Sequence, residues 1–98
     1  MSAYLIGTET ILDPEKYKTY QVAAGPLLQR FGGRVIASSK KERIEVLEGK
    51  FDGQQLLVVE FPDIEALKAF YYSKEYSDAK QLREGAAIVN LWAVPSIE

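Results

Sequence analysis

The stretch Gln55-Leu56-Leu57-Val58-Val59-Glu60-Phe61-Pro62-Asp63 is the most strand-like in the chain, and the architecture can be built outward from it. β-Branched and large apolar residues run up to a proline and an aspartate, so a central strand over 55–61 should hand over to a helix opened by Pro62-Asp63. Side chains alternate along a strand, which puts Leu57, Val59 and Phe61 on one side and Leu56, Val58 and Glu60 on the other. The first set is wholly apolar, so it is expected to meet the helices.

Upstream, Gly49 to Gly53 supplies a turn. Before it, Arg34 to Ser38 and Arg43 to Glu48, interrupted by the polar residues Ser39 to Glu42, read as one long second strand that forms a hairpin with 55–61. Further upstream, Ala3 to Ile11 is β-prone and ends at Asp13-Pro14, a helix N-cap followed by proline at the first helical position. Tyr17, Tyr20, Ala24, Leu27, Leu28 and Phe31 then mark one apolar helical face, which Gly32-Gly33 closes. Pro26, preceded by Gly25, removes a ladder hydrogen bond and should kink or break that helix.

Downstream, Ile64, Leu67, Phe70 and Tyr71 form a second helical face. Ser73 caps a further turn carrying Tyr76, Ala79 and Leu82, Gly85 ends it, and Ala86 to Val94 is a last strand halted at Pro95. The order β-α-β-β-α-β predicts a single α+β domain over 1–98. It is a ferredoxin-like sandwich in which a four-stranded antiparallel sheet carries both helices on one face.

The 98 residues are 47% hydrophobic and 27% charged, a composition that suits one globular domain with a modest core. A net charge of -2 provides no positive field for phosphate backbones, which argues against nucleic acid as a partner. With neither histidine nor cysteine, the chain alone cannot form imidazole or thiolate catalytic machinery, a Cys/His zinc site or a His-ligated haem. No cofactor and no metal site are expected. The N-terminus lacks a basic leader pattern and no long apolar run occurs, so the expected compartment is the cytoplasm, with no membrane partner.

In the last strand Ile88, Asn90, Trp92 and Val94 share one parity. By analogy with 55–61, the sheet face away from the helices should carry Val58, Glu60, Ile88, Asn90 and Trp92. Such a face is too apolar for bulk water, so it should meet a second copy of the chain and wall a shared cavity.

The segments Phe31-Gly32-Gly33-Arg34, Leu47-Glu48-Gly49, Glu60-Phe61-Pro62 and Tyr72-Ser73-Lys74-Glu75-Tyr76, with Arg83 after them, resemble the domain of unknown function 1330 family over nearly the whole chain. The resemblance implies the dimeric α/β-barrel superfamily, whose subunits pack sheet against sheet and whose members include cofactor-independent monooxygenases, small-molecule isomerases and haem proteins. Where that family often has Arg-Gly-Gly after its second strand, this chain has Ser38-Ser39-Lys40, leaving Arg34 and Lys40 as the nearby cations.

The candidate catalytic residues are Glu60 as proton acceptor, with burial expected to raise its pKa, and Asn90 and Arg34 as polarising groups. Against this, Glu60 can simply pair with Arg34, and Asn90 can make a structural hydrogen bond across a dimer. Trp92, Tyr71, Ser73 and Tyr76 are candidate ligand-binding residues, although an apolar sheet face favours an interface role for Trp92 and its position favours an N-cap role for Ser73. Two functions stay open on these residues. One is a homodimer that binds a small, largely apolar organic molecule in the sheet-lined cavity, with cofactor-independent monooxygenase- or isomerase-like action on it left open; the other is a catalytically silent binding or regulatory dimer.

Overall fold

The computed structural model describes residues 1–97. Its elements are β1 (Ala3–Ile11), α1 (Pro14–Arg30), β2 (Arg34–Lys40), β3 (Gln55–Phe61), α2 (Ile64–Tyr71), α3 (Lys74–Gln81) and β4 (Ala87–Pro95). The strands form one antiparallel sheet in the order β2-β3-β1-β4. Each parallel pair, β1 with β2 and β3 with β4, is separated by an intervening antiparallel strand. This is the ferredoxin-like arrangement.

Local chemistry sets the helix ends. Asp13 accepts from the Lys16 N–H, Asp63 from Ala66 and Ser73 from Tyr76, so each helix opens on a side-chain cap. At the far end of α1, Gly33 N–H bonds Leu28 O at 2.8 Å and Gly32 N–H bonds Gln29 O at 3.0 Å, with Gly32 at φ 91°. That is a Schellman closure, and only glycine enters the left-handed position without strain.

Two expectations need correction. α1 runs without a break through Pro26. Gly25 has no Cβ to crowd the proline ring, and Val22, whose carbonyl loses its partner, lies on the solvent side where water can take over the bond. The second strand also stops at Lys40 instead of resuming over Arg43 to Glu48. Lys40 pairs with Gln55, where β3 begins, and the Lys41 N–H goes to Gln54 O, so no strand is left for 43–48 to pair with. A short 3-10 turn, Lys41–Arg43, begins the loop instead.

The core lies between sheet and helices and includes Ala3, Leu5, Val59 and Phe61 from the strands and Leu67, Phe70 and Tyr76 from α2 and α3. Val59 and Phe61 are fully buried on the helical side, as their parity required. The molecule measures 35 × 32 × 15 Å, room for two layers only. The second sheet face therefore stays open, with Trp92 51% exposed and Ile88 and Val94 also exposed. Among the described residues no helix is long and apolar enough to cross a membrane.

Candidate functional site

On the open face the strand register fixes who meets whom. Glu60 lies opposite Tyr4, Val58 opposite Ile6, Trp92 opposite Ile6 from the other side, and Asn90 opposite Thr8. The Glu60 and Asn90 rows are thus four residues apart along β1, roughly 13 Å at the usual strand rise. The structure does not bring these two groups to one reacting atom.

Glu60 Oε1 accepts from Arg34 Nη2 at 2.6 Å, and its Oε2 accepts from Ser2 Oγ at 3.0 Å. Those two hydrogen bonds, Arg34 first, hold its pKa below the ordinary 4.5. The expected upward shift is reversed because the carboxylate sits at the sheet rim, within reach of water and paired with a cation. Asn90 is exposed, with its Nδ2 3.4 Å from Thr8 Oγ1. Ser73 caps α3 and donates to Phe70 O at 2.8 Å, while Tyr71 accepts from Lys80 Nζ at 3.2 Å.

A partly open cavity lies on the opposite side of the sheet. α2 lies directly on β1, β3 and β4, whereas α1 packs mainly against α3 and reaches the sheet through side chains such as Ala24 and Tyr17. The gap beneath α1 is a cavity of about 750 Å³. Leu5, Gly7, Leu57, Val89 and Leu91 form its sheet-side floor, and Glu9, Tyr17, Tyr20 and Tyr76 supply polar groups. Gly7 keeps that floor low, since a Cβ there would lie 2.7 Å from Leu91 Cδ2. Of the seven residues singled out from sequence, Tyr76 and Arg34 border this cavity.

Glu9 is the group that sequence reasoning missed. It is 5% exposed, the one buried charged residue among those described. Tyr17 Oη donates to its Oε2, and Gln55 Nε2 lies 3.4 Å from its Oε1. Burial raises its pKa above the ordinary 4.5, against smaller opposing pulls from the Gln55 hydrogen bond and the charge of Arg83. The signal was available: Glu9 has the same parity as Ala3, Leu5 and Gly7, the helix-facing set of β1.

A second polar group borders the same space. Tyr20 and Tyr76 share a hydrogen bond of 2.7 Å between their hydroxyls, and the Arg83 guanidinium lies 5.1 Å from the Tyr20 ring centre. Burial and then the Tyr76 phenol push the Tyr20 pKa up, while Arg83 pulls it back. Among the described residues no cluster of three or more acidic, histidine or cysteine side chains is placed to hold a metal ion.

The sequence profile of the family described as domain of unknown function (DUF1330) matches residues 2–97. The chain belongs to the DUF1330 family. Among curated proteins none matches it. The fold of this DUF1330 chain is similar to that of RPA0582, a protein of unknown function from Rhodopseudomonas palustris, with a TM-score of 0.76 and 19% identity over 99% of this chain and 83% of that one. It is also similar to SnoaB, a cofactor-independent oxygenase from Streptomyces nogalater, with a TM-score of 0.68 and 8% identity over 99% of this chain and 94% of that one. A dimeric ferredoxin-like protein of unknown function from Bacteroides fragilis aligns with a TM-score of 0.62 and 14% identity, over 97% and 96% of the two chains.

Proposed function

We propose that this protein is a homodimer whose subunits each bind a small, largely apolar organic molecule in the cavity beneath α1, where Glu9 exchanges a proton with it. One observation carries the reading: the buried Glu9 carboxyl, with its raised proton affinity, lines a cavity with a mainly apolar floor. A carboxyl so placed is drawn toward the neutral range in which general acids and bases work best. The cavity volume falls within the range of small-molecule sites. SnoaB, a cofactor-independent oxygenase on the same fold, supports the view that this architecture can act without a cofactor. The dimeric Bacteroides neighbour supports the assembly.

Binding is tested with N-phenyl-1-naphthylamine, a neutral apolar probe whose fluorescence rises in dry sites. Saturable binding to the wild type that is lost in Leu57→Trp, which fills the floor, is expected; binding unchanged by that substitution would place the ligand elsewhere. The proton affinity is tested by melting wild type and Glu9→Gln across pH. The folded pKa lies above the unfolded one, so the protonated carboxyl favours folding and that contribution is lost as pH rises from about 4.5 through the folded value. The wild type should therefore lose melting temperature relative to Glu9→Gln over that rise. A gap that does not change with pH would remove Glu9 from the mechanism.

A further inference from the structure

Arg83 is left over from the site as described. It sits in the turn after α3, partly buried, and its Nε is buried with no hydrogen-bond partner. Burial works against its charge, yet the oxygens of Tyr76 and Tyr20 outweigh that and hold its proton more firmly than usual. No ion pair involving Arg83 forms among the described residues. Its positive charge therefore faces the phenol oxygens on one side and, at longer range, Glu9 on the other.

Proton counting then gives the tyrosine pair a direction. Tyr20 and Tyr76 hold two hydroxyl hydrogens, and their mutual bond uses one. A guanidinium has only donors, so toward Arg83 both oxygens act as acceptors. The second hydroxyl hydrogen is thereby free to be given to a ligand oxygen, and the adjacent cation makes it a stronger donor. The cavity thus holds a proton acceptor on β1 and a polarised donor pair on α1 and α3, with an apolar floor running past both.

We propose that the ligand is a mostly hydrocarbon ketone with an acidic α-hydrogen, its α-carbon beside Glu9 and its carbonyl oxygen against the Tyr20–Tyr76 pair. This rests on the cavity reading above. The α-C–H bond breaks and its proton passes to a carboxylate oxygen of Glu9, each oxygen of which keeps a lone pair beyond those engaged by Tyr17 and Gln55. The C–H electron pair becomes the enolate double bond, and the carbonyl π pair moves onto oxygen, where the tyrosine hydroxyl stabilises it. Once the Glu9 carboxyl hydrogen has swapped with solvent, its delivery back to the α-carbon completes exchange, and delivery instead to a conjugated carbon of the enolate completes isomerisation, with no oxidant needed. Separate acceptor and donor positions suit a carbon acid, whose proton and developing charge lie on different atoms, better than a phenol, in which both lie on one. Arg83 acts through the tyrosines and is a positioning residue.

The test follows solvent deuterium entering the α-positions of 2-tetralone by NMR, with binding of the ketone measured on the same samples. Wild type should bind it and speed exchange above the buffer rate. Tyr20→Phe should lower the enzymic rate by about a hundredfold, the usual effect of one oxyanion donor. Arg83→Gln should lower it less, shift its pH profile, and be rescued in part by Arg83→Lys; thermal melts confirm that each variant is folded. Exchange that depends on Glu9 but is indifferent to Tyr20→Phe and Arg83→Gln would overturn this inference and leave the proton-transferring cavity standing. Failure of 2-tetralone to bind a protein that still binds N-phenyl-1-naphthylamine would overturn the ketone assignment alone. Loss of binding to both probes would remove the cavity reading itself.

Discussion

At the scale of single residues, two carboxylates on the two faces of one sheet have opposite electrostatics. Glu60 is at the rim beside Arg34 and Ser2, and its proton affinity is lowered. Glu9 is under α1, and its proton affinity is raised. For Glu60 the sign of the linkage follows directly: a folded pKa below the unfolded one contributes stability above about 4.5 that is lost as pH falls through the folded value. Glu60→Gln should therefore melt slightly below wild type at pH 8, and the gap should close as acidification takes the carboxyl through its lowered folded pKa. An exposed pair is screened by solvent, so the effect should be small and should shrink in salt. A variant that melts above wild type at pH 8 would contradict the pairing. Glu60 stood out in the sequence because four apolar residues precede it, but sequence does not show that the strand end is open to water and to Arg34. Glu9 was legible in principle from parity alone. What concealed it is that polar residues surround it in sequence, while the apolar walls around it in space come from β3 and β4.

At the scale of elements, strand parity and capping residues carried most of the information. The alternation in Leu56 to Phe61 placed Val59 and Phe61 in the core, and Asp13, Asp63 and Ser73 open the helices as read. The failures came where a partner decides. Ile44 and Val46 alternate as a strand would, yet β3 is already fully paired to Lys40 and they have nothing to bond. Pro26 was expected to interrupt α1, and the helix instead absorbs it because Gly25 precedes it. The cost remains, since the Val22 carbonyl still lacks its helical donor. Pro26→Ala restores that bond and should stabilise the fold by about 1–2 kcal/mol, below the full interior-proline penalty of about 3 because Val22 is open to solvent. Thermal melts at fixed protomer concentration would show it as a rise of several degrees. Gly25→Ala in the wild-type background should not show the usual gain, because its new methyl would meet the proline ring; in the Pro26→Ala background it should. Additive effects of the two changes would refute this account of the continuous helix.

At the scale of the whole molecule, the thin slab buries one sheet face and leaves the other apolar and open. The α1 gap made the cavity invisible to sequence, because the apolar face of α1 reads the same whether it rests on strands or stands away from them. The open face was readable, since the parity of β3 and β4 assigns Val58, Ile88, Trp92 and Val94 to it, and the register sets Val58 and Trp92 on either side of Ile6. A contiguous band of this kind in water favours association, and the indole within it is the type of residue that anchors interfaces. In a dimer packed through this face, total buried area should exceed roughly 2,000 Å², the range of obligate pairs. Sedimentation at micromolar concentration should then show a dimer. Trp92→Asp places a charge within the contact, and the cost of desolvating it should yield monomer or unfolded chain. Trp92→Phe keeps an aromatic contact there and should keep the dimer. A wild-type protein that sediments as a stable monomer would refute the face-to-face assembly, and a Trp92→Asp variant that remains a dimer would move the interface off this face. The cavity lies on the other side of the sheet, so a Trp92→Asp monomer that stays folded should still bind N-phenyl-1-naphthylamine. Retained binding would show that each subunit carries a complete site, and lost binding that the partner holds the sheet, and with it the cavity floor, in shape.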